Sequence, residues 1–111
     1  STILRAEDLM AKLLVMYHNP PDPAAFDRYY SGTHMVLAKK LPGLRSYTIS
    51  MGPIASPGGT SPYHLIAELT FDSMGALQAA LGSREGQAAV ADLANFASAG
   101  VTISMYEMRD A

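Results

Sequence analysis

The sequence predicts an α+β fold with the element order β-α-β-β-α-β. Four runs of strand length, each apolar or alternating, occur at 12–18, 44–52, 63–71 and 101–108. The segment 24–41, between the first two runs, places apolar side chains at helical spacing. Pro, Gly, Asn and Ser residues separate these segments and are typical of turns. Together the observations indicate one domain that combines strands with amphipathic helices.

The first strand and the first helix have well-marked limits. The apolar run 12–18 ends at the segment 19–22, which holds two prolines that cannot continue a sheet ladder. Asp22 then suits the N-cap of a helix, and Pro23 suits its first turn. We expect one helix over 24–41, ended by the Pro-Gly pair that follows. Its stripe consists of Phe26, Tyr30, Thr33, Leu37 and Leu41.

The second and third strands flank a loop. Side chains along 44–52 and along 63–71 alternate between two faces, with the period of two residues that a strand requires. The segment 53–62 between them reads PIASPGGTSP, and this composition predicts a loop.

Two short helices precede the last strand. Ser73 can cap a helix that ends near Leu81, and Ser83 can cap a second one. The residues of that second helix expected to face inward are Val90, Leu93 and Phe96. Gly100 ends the segment, and the alternating run 101–108 predicts a strand.

This order of elements is that of the split βαβ, or ferredoxin-like, arrangement. Right-handed crossovers predict an antiparallel sheet with the strand order 4-1-3-2 and the helices on one face. We assign residues 12–111 to this single domain. Residues 1–11 are interpreted as an N-terminal extension, because Met10 could be the original start, and a short N-terminal helix is the alternative.

Composition and charge exclude several classes of protein. The chain has 111 residues, of which 49% are hydrophobic, so it can bury a core and is not disordered. Its net charge is −2 without a basic stripe, which argues against binding to nucleic acid. It contains no Cys, which excludes thiolate chemistry. We see no membrane-spanning run and no secretory signal, and therefore expect a cytoplasmic protein.

The two faces of the predicted sheet differ in polarity. The face toward the helices is mostly apolar and comprises Leu13, Val15, Tyr17, Tyr47, Ile49, Met51, Leu65, Leu69, Ile103 and Met105. The other face is mixed and comprises Leu14, Met16, His18, Ser46, Thr48, His64, Ile66, Glu68, Ser104, Tyr106 and Met108. A mixed face with few charges favours a homodimer in which two sheets meet, whereas a solvated sheet is the alternative.

Two groups of residues resemble motifs of the EthD family. The first is Phe26-x-x-Tyr29-Tyr30-x-x-x-His34-x-x-Leu37, followed by Leu41-Pro42-Gly43-Leu44 and Tyr47. The second is Ser83-x-Glu85-Gly86-Gln87 with Ala91-Asp92-Leu93-x-Asn95-Phe96. Although Asp92 and Asn95 match the family pattern, we expect them to make local hydrogen bonds within the helix or a loop. The resemblance extends from Lys12 to Met108 and departs from a common family form at Arg84, where proline is expected.

The resemblance implies a dimeric α/β barrel with the topology predicted above. The family is named for ethyl tert-butyl ether degradation, in which EthD accompanies a cytochrome P450 system. Relatives with EthD domains include dehydratases and decarboxylases that act on polyketides. The wider superfamily includes lactone isomerases, cofactor-free monooxygenases and haem enzymes. Because the fold alone cannot choose among these chemistries, the site residues must be considered.

The candidate catalytic residues are His34 and Tyr30, which lie one helical turn apart and match the family motif. A histidine at the edge of a helix–sheet cavity can transfer a proton near neutral pH, and Tyr30 can orient it or bind a substrate oxygen. The alternative is a buried histidine that only satisfies hydrogen bonds. The residues expected to bind an apolar small molecule are Tyr17, Tyr47, Tyr63, Phe26 and Leu37. No cofactor is expected.

The other two histidines are a second candidate site, for a metal ion. His18 and His64 are expected near each other, on the face turned toward a partner subunit. Glu68 lies four strand residues beyond His64, about 13 Å away, and cannot share an ion with it. The sequence therefore predicts interface histidines and no metal.

Three functions remain open at this stage. The first is a homodimeric enzyme of ether, aromatic or polyketide-like catabolism, with His34 as acid or base in a dehydration, isomerisation or decarboxylation without a cofactor. Monooxygenation has no specific residue signal. The second is a non-catalytic, ligand-binding auxiliary of a cytochrome P450 degradation system. The third is a structural dimer without a pocket.

Overall fold

The structure, a computed structural model, describes residues 9–111. Its elements are β1 (Met10–His18), α1 (Pro23–Tyr29), a π-helical turn (Tyr30–His34), α2 (Met35–Ala38), β2 (Leu44–Ile49), β3 (Ala55–Ser56), β4 (Gly59–Thr60), β5 (Tyr63–Phe71), α3 (Met74–Gly82), α4 (Arg84–Phe96) and β6 (Val101–Met108). Within residues 9–111, no helix has the length and apolar character that crossing a membrane requires.

Four of the six strands form one antiparallel sheet with the spatial order β2-β5-β1-β6. The other two, β3 and β4, form a small hairpin inside the segment predicted as a loop. Because the hairpin strands are also numbered, the labels differ from those of the predicted order 4-1-3-2. Read from β6, the four long strands lie in the order fourth, first, third, second along the chain. The protein therefore has the predicted α+β, ferredoxin-like fold.

Two strand ends differ from their predicted positions. β1 begins at Met10 rather than at residue 12, because Ala11 is fully buried and pairs with Phe71 of β5. β2 ends at Ile49, and the chain turns at Gly52, whose φ of 70° is left-handed. The first eight residues, which hold most of the predicted extension or alternative helix, lie outside the described residues.

The three predicted helix caps are confirmed. The side chains of Asp22, Ser73 and Ser83 each accept a hydrogen bond from the backbone N–H three residues later, at 3.1, 3.0 and 3.0 Å. The cap at Ser83 also explains why α4 begins at Arg84 without the proline expected there. The departure from the family form thus changes the first residue of a helix and no group of the site.

The predicted single helix over 24–41 is interrupted by the π-helical turn. The backbone N–H of Met35 bonds to the carbonyl of Tyr30, five residues earlier. Phe26, Tyr30 and His34 are spaced four residues apart, and on a regular α-helix each step would rotate the side chain by about 40°. The wider turn offsets this rotation, so all three side chains reach the core. His34 is only 5% exposed.

The core lies between the helices and one face of the sheet. The fully buried large side chains are Tyr17, Tyr30, Phe71 and Leu77. Three residues predicted on this covered face are exposed. Ile103 and Met105 do lie on that face, opposite Val15 and Leu13, whereas the prediction was wrong for Met51. Met51 lies beyond the end of β2 and is 89% exposed. Ile103 and Met105 are each 47% exposed, because β6 is an edge strand that the helices cover incompletely.

Candidate active site: a buried histidine–aspartate pair

The centre of the site is a hydrogen-bonded pair formed by His34 and Asp92. His34 lies at the end of the π-helical turn, and Asp92 lies on the inner face of α4. The Nδ1 atom of His34 is 2.9 Å from Oδ2 of Asp92, and the two residues are 5% and 6% exposed. Because a carboxylate only accepts hydrogen bonds, Nδ1 carries the proton of this bond. The Nε2 atom of a neutral His34 ring is therefore an acceptor.

Two further donors hold the Asp92 carboxylate. Its Oδ1 atom accepts from the hydroxyl of Tyr29 at 2.6 Å and from the side-chain amide of Asn95 at 2.9 Å. Burial alone raises the pKa of Asp92, but the hydrogen bonds from Tyr29, Asn95 and His34 outweigh it, and the net pKa lies below its ordinary value. Asp92 is therefore an ionised group in a fixed position near neutral pH.

Three tyrosines cover the other side of the His34 ring. The hydroxyl of Tyr17 lies 3.3 Å from Nε2 of His34, and the hydroxyls of Tyr30 and Tyr47 lie 2.5 Å apart. Burial raises the pKa of all three hydroxyls above the ordinary tyrosine value. Tyr47 raises the pKa of Tyr17 and Tyr30 further, whereas a hydrogen bond with Tyr30 lowers the pKa of Tyr17 by less than these effects raise it. These hydroxyls stay protonated. Tyr17 donates to the unprotonated Nε2 of His34, and one of Tyr30 and Tyr47 donates to the other, which leaves one hydroxyl proton for an oxygen of a ligand.

A small, mostly apolar cavity of about 60 Å³ adjoins these groups, between the sheet and the helices. Its lining comprises Leu13, Val15, Tyr17, Tyr30, His34, Ala38, Leu41, Tyr47, Ala67, Leu69, Ala89, Val90, Leu93 and Ile103. We call it the inner cavity. Val90 and Ile103 are about half exposed and lie where α4 and β6 border solvent. The inner cavity thus joins an apolar wall to a few hydrogen-bonding groups.

The predicted site residues divide into two groups. His34, Tyr30, Tyr17 and Tyr47 come together at the inner cavity. The other three lie outside its lining. Phe26 packs in the core, with its ring centroid 5.4 Å from that of Tyr17, and Leu37 is half-buried. Tyr63 stacks edge-on against His18 at 5.3 Å.

His18 and His64 do not form one site. The Nε2 atom of His18 lies 3.0 Å from the hydroxyl of Thr102. The Nε2 atom of His64 lies 2.7 Å from Oδ1 of Asp27 on α1, and its ring packs edge-on against Phe26. A register shift between Tyr17 and His18 accompanies this separation. Among residues 9–111, no group of three or more possible ligands could hold a metal ion.

Comparison with known proteins supports the resemblance seen in the motifs. The EthD domain family matches residues 18–100. The chain belongs to the EthD family. It is 40% identical over 95 residues to an uncharacterized 11.0 kDa protein in the thcB–thcC intergenic region of Rhodococcus erythropolis, covering 85% of this chain and 90% of that protein.

Solved structures agree with this membership. An EthD family protein from Bacillus halodurans is 36% identical, with a TM-score of 0.83, and the match covers 90% of this chain and 99% of that one. Two structures that are each 14% identical share the fold alone. SnoaB, a cofactor-independent oxygenase from Streptomyces nogalater, has a TM-score of 0.62 and coverages of 94% and 96%. A dimeric ferredoxin-like protein from Thermobifida fusca has a TM-score of 0.68 and coverages of 96% and 97%.

Asp92 is a residue of the site that was not predicted from the sequence of this EthD protein. It was expected to make only local hydrogen bonds in its helix, yet it bonds to His34 across 58 residues of sequence. A usable signal was present. Ala89, Asp92 and Phe96 follow helical spacing on the inner face of α4, so a carboxylate stands within an apolar stripe. A charged residue in such a position requires a buried partner.

We expect Asp92→Asn to destabilise the protein by about 1–3 kcal/mol near pH 7, since its single amide oxygen cannot accept both from His34 and from Tyr29 and Asn95 on the other side. The pKa of Asp92 is lower in the folded chain than its unfolded value of about 3.9. The carboxylate therefore stabilises the fold above about pH 4, and this contribution disappears as the pH falls through the folded pKa. Urea unfolding at several pH values should show the stability difference between wild type and Asp92→Asn shrinking below about pH 4.

The exposed Asp110→Asn is the matched control, and it should follow the wild type at every pH. A stability difference between wild type and Asp92→Asn that stayed constant down to about pH 2 would contradict the assigned role of the Asp92 carboxylate.

Proposed function

We propose that this EthD protein transfers protons on a small, largely apolar molecule without a cofactor, with His34 as the acid or base. The observation that carries the proposal is the geometry of His34, whose Nδ1 is bound to buried Asp92 while Nε2 faces Tyr17 and the inner cavity. A histidine oriented by a carboxylate is suited to general acid–base catalysis. Dehydration, isomerisation and decarboxylation are the reaction types that fit.

The proposed roles follow from the hydrogen bonds. Nε2 of His34 takes a proton from a substrate carbon, and Asp92 stabilises the imidazolium ion that forms. The same proton then passes to a departing hydroxyl group in a dehydration, or to a second carbon in an isomerisation. Tyr30, which accepts from the Tyr47 hydroxyl, donates its own proton to the substrate oxygen on which negative charge develops, and Tyr17 donates to the same oxygen once its hydroxyl has left Nε2 of His34.

The size and lining of the inner cavity restrict the substrate. A volume of about 60 Å³ takes only the reacting end of an organic molecule. The rest of the substrate molecule would extend past Val90 and Ile103, where the cavity lining borders solvent. Apolar walls and a few donors suit compounds related to ethers, aromatics or polyketides, in which a carbonyl or hydroxyl group is attached to an apolar frame.

One observation favours the second candidate, a non-catalytic auxiliary that binds such a compound for another enzyme of a degradation system, such as a cytochrome P450. Both ring nitrogens of His34 already have partners, since Tyr17 lies 3.3 Å from Nε2. A histidine that serves only to hold a ligand would also show this arrangement. In that case His34→Gln weakens binding, and no turnover accompanies it.

We further propose that the protein is a homodimer in which the sheets of the two subunits meet and form a dimeric α/β barrel. The similarly folded Thermobifida fusca protein is described as dimeric. Tyr106 of β6 is 39% exposed on the sheet face away from the helices and suits burial by a second copy. Native mass spectrometry should give a dimer mass, and a monomer at micromolar concentration would contradict this part of the proposal.

Hydrogen exchange in D₂O tests the proposed chemistry. The protein is incubated with a panel of β-keto acids, lactones and hydroxylated aromatic ketones, and deuterium incorporation into each compound is followed by mass spectrometry. An acid–base enzyme should catalyse incorporation into at least one class above the rate in buffer. If compounds bind saturably and none gains deuterium faster than in buffer, the auxiliary function is supported instead.

A further inference from the structure

A second space, larger than the inner cavity, lies on the outside of α1. It is a cleft of about 590 Å³ between α1, the start of β5 and the segment 49–54. We call it the outer cleft. Sites for organic ligands are commonly about 300–1,000 Å³ in volume, so this cleft has the size of a binding site. The inner cavity, at about 60 Å³, is much smaller.

The outer cleft is separate from the inner cavity. Among the described residues, Tyr30 alone lines both spaces. Its hydroxyl bonds to that of Tyr47, and its side chain is only 1% exposed, so the ring forms a fixed wall between them. His34 and Asp92 do not line the outer cleft. A ligand in the outer cleft would therefore not contact the His34–Asp92 pair.

The polar side of the outer cleft is built around Asp27 and His64. The Nε2 atom of His64 lies 2.7 Å from Oδ1 of Asp27, and the His64 ring rests edge-on against Phe26 at 5.1 Å. This contact fixes the carboxylate in place. Within residues 9–111, Oδ2 of Asp27 has no hydrogen-bond donor, so it can accept one from a ligand. The Asp27 side chain is 58% exposed and is accessible to such a group.

The opposite side of the outer cleft is apolar. Ile49, Met51 and Ile54 line it, and Met51 is 89% exposed. An uncovered methionine gives an adaptable surface for a flat apolar body. None of the described residues that line the cleft is Lys or Arg, and the Asp27 carboxylate repels anions. The ligand should therefore be uncharged and combine an apolar body with a hydrogen-bond donor.

We propose that the outer cleft is a second binding site, which takes an uncharged, hydroxyl-bearing aromatic molecule. The hydroxyl donates to Oδ2 of Asp27, and the rings lie against Ile49, Met51 and Ile54. A hydrogen bond to an ionised acceptor is stronger than a hydrogen bond to a neutral acceptor. The site should therefore bind aromatics with a free hydroxyl more tightly than aromatics whose hydroxyl is methylated.

Three matched probes test the proposal by calorimetry and by amide NMR of the full chain. All three share the naphthalene ring system. 2-Naphthol has a hydrogen-bond donor, 2-methoxynaphthalene has none, and 2-naphthoate has a negative charge. We expect saturable binding of 2-naphthol, with shifts at Asp27, Met51 and His64. Binding of 2-methoxynaphthalene should be roughly tenfold weaker, because it lacks the bond to the carboxylate. Binding of 2-naphthoate should be weaker still.

Asp27→Asn should weaken 2-naphthol binding about fivefold and reduce its preference over 2-naphthoate, because the acceptor becomes neutral. Asp72→Asn is the control, since it removes one exposed carboxylate at the other end of β5, about 26 Å from His64, and should leave all three affinities unchanged. Three results would each overturn the proposal. They are equal affinity for the three probes, NMR shifts at Tyr17 and His34 instead of Asp27, and the absence of saturable binding. None of these outcomes depends on whether His34 is catalytic.

Discussion

Replacing His34 by asparagine is expected to lower the rate of deuterium incorporation into a substrate by at least about 100-fold. The asparagine amide can occupy the place of Nδ1 and keep the bond to Asp92, so the fold should be retained. The variant has no atom at the position of Nε2 and cannot accept a proton there. The loss should therefore appear in kcat, measured as exchange in D₂O under saturating substrate.

The matched control is His18→Asn, which changes a histidine that bonds to Thr102 outside the inner cavity. It should exchange protons at the rate of the wild type. If His34→Asn retained the wild-type kcat while binding the same compound, His34 would not be the acid or base.

Gly86→Ala is expected to destabilise the fold by about 3 kcal/mol or more. A methyl group at this position would lie 2.1 Å from the carbonyl oxygen of Ala80 and 2.6 Å from that of Leu81. Both atoms belong to the backbone of α3, which cannot rotate away as a side chain can. Since α4 carries Asp92, a displaced α4 would also disturb the pair with His34. Urea unfolding measures the expected loss.

Gly32→Ala is the control, because it adds the same methyl group at an exposed helical position with no heavy atom within 4 Å. It should leave stability unchanged or raise it by up to about 1 kcal/mol. Equal unfolding midpoints for the two variants would show that α3 and α4 do not depend on their close approach at Gly86.

Local sequence signals predicted most of the fold. The alternation along 63–71 and the caps at Asp22, Ser73 and Ser83 depend on neighbouring residues, and the structure confirms them. The strand order followed from the handedness of the crossovers, which is a general property of chains of L-amino acids.

The π-helical turn was not predicted, because its cause is not local. The spacing of Phe26, Tyr30 and His34 is close to that of a regular helix, and only their common burial shows that the extra residue aligns them. The exposure of Ile103 and Met105 was missed for a similar reason. Alternation shows which face of a strand is apolar, but it does not show how far the helices extend over an edge strand.

The candidate site was half predicted. His34 and three tyrosines were identified from their residue types and the family motif, and the inner cavity brings them together. Asp92 was assigned a local role because its partner His34 lies 58 residues away. The spacing of residues along one helix does not reveal a contact with another part of the chain. The outer cleft was not foreseen, because it depends on how the segment 49–54 folds beside α1.

The most direct test of the central claim is to determine which ring nitrogen of His34 carries the proton. Long-range ¹H–¹⁵N NMR of the labelled protein, at a pH where the His34 ring is neutral, reports this without a substrate. We expect the proton on Nδ1, bound to Asp92, and an unprotonated Nε2 that faces Tyr17 and the inner cavity. A neutral ring with its proton on Nε2 would rule out the proposed role of His34, because Asp92 would then not orient the ring and Nε2 could not accept a proton from a substrate.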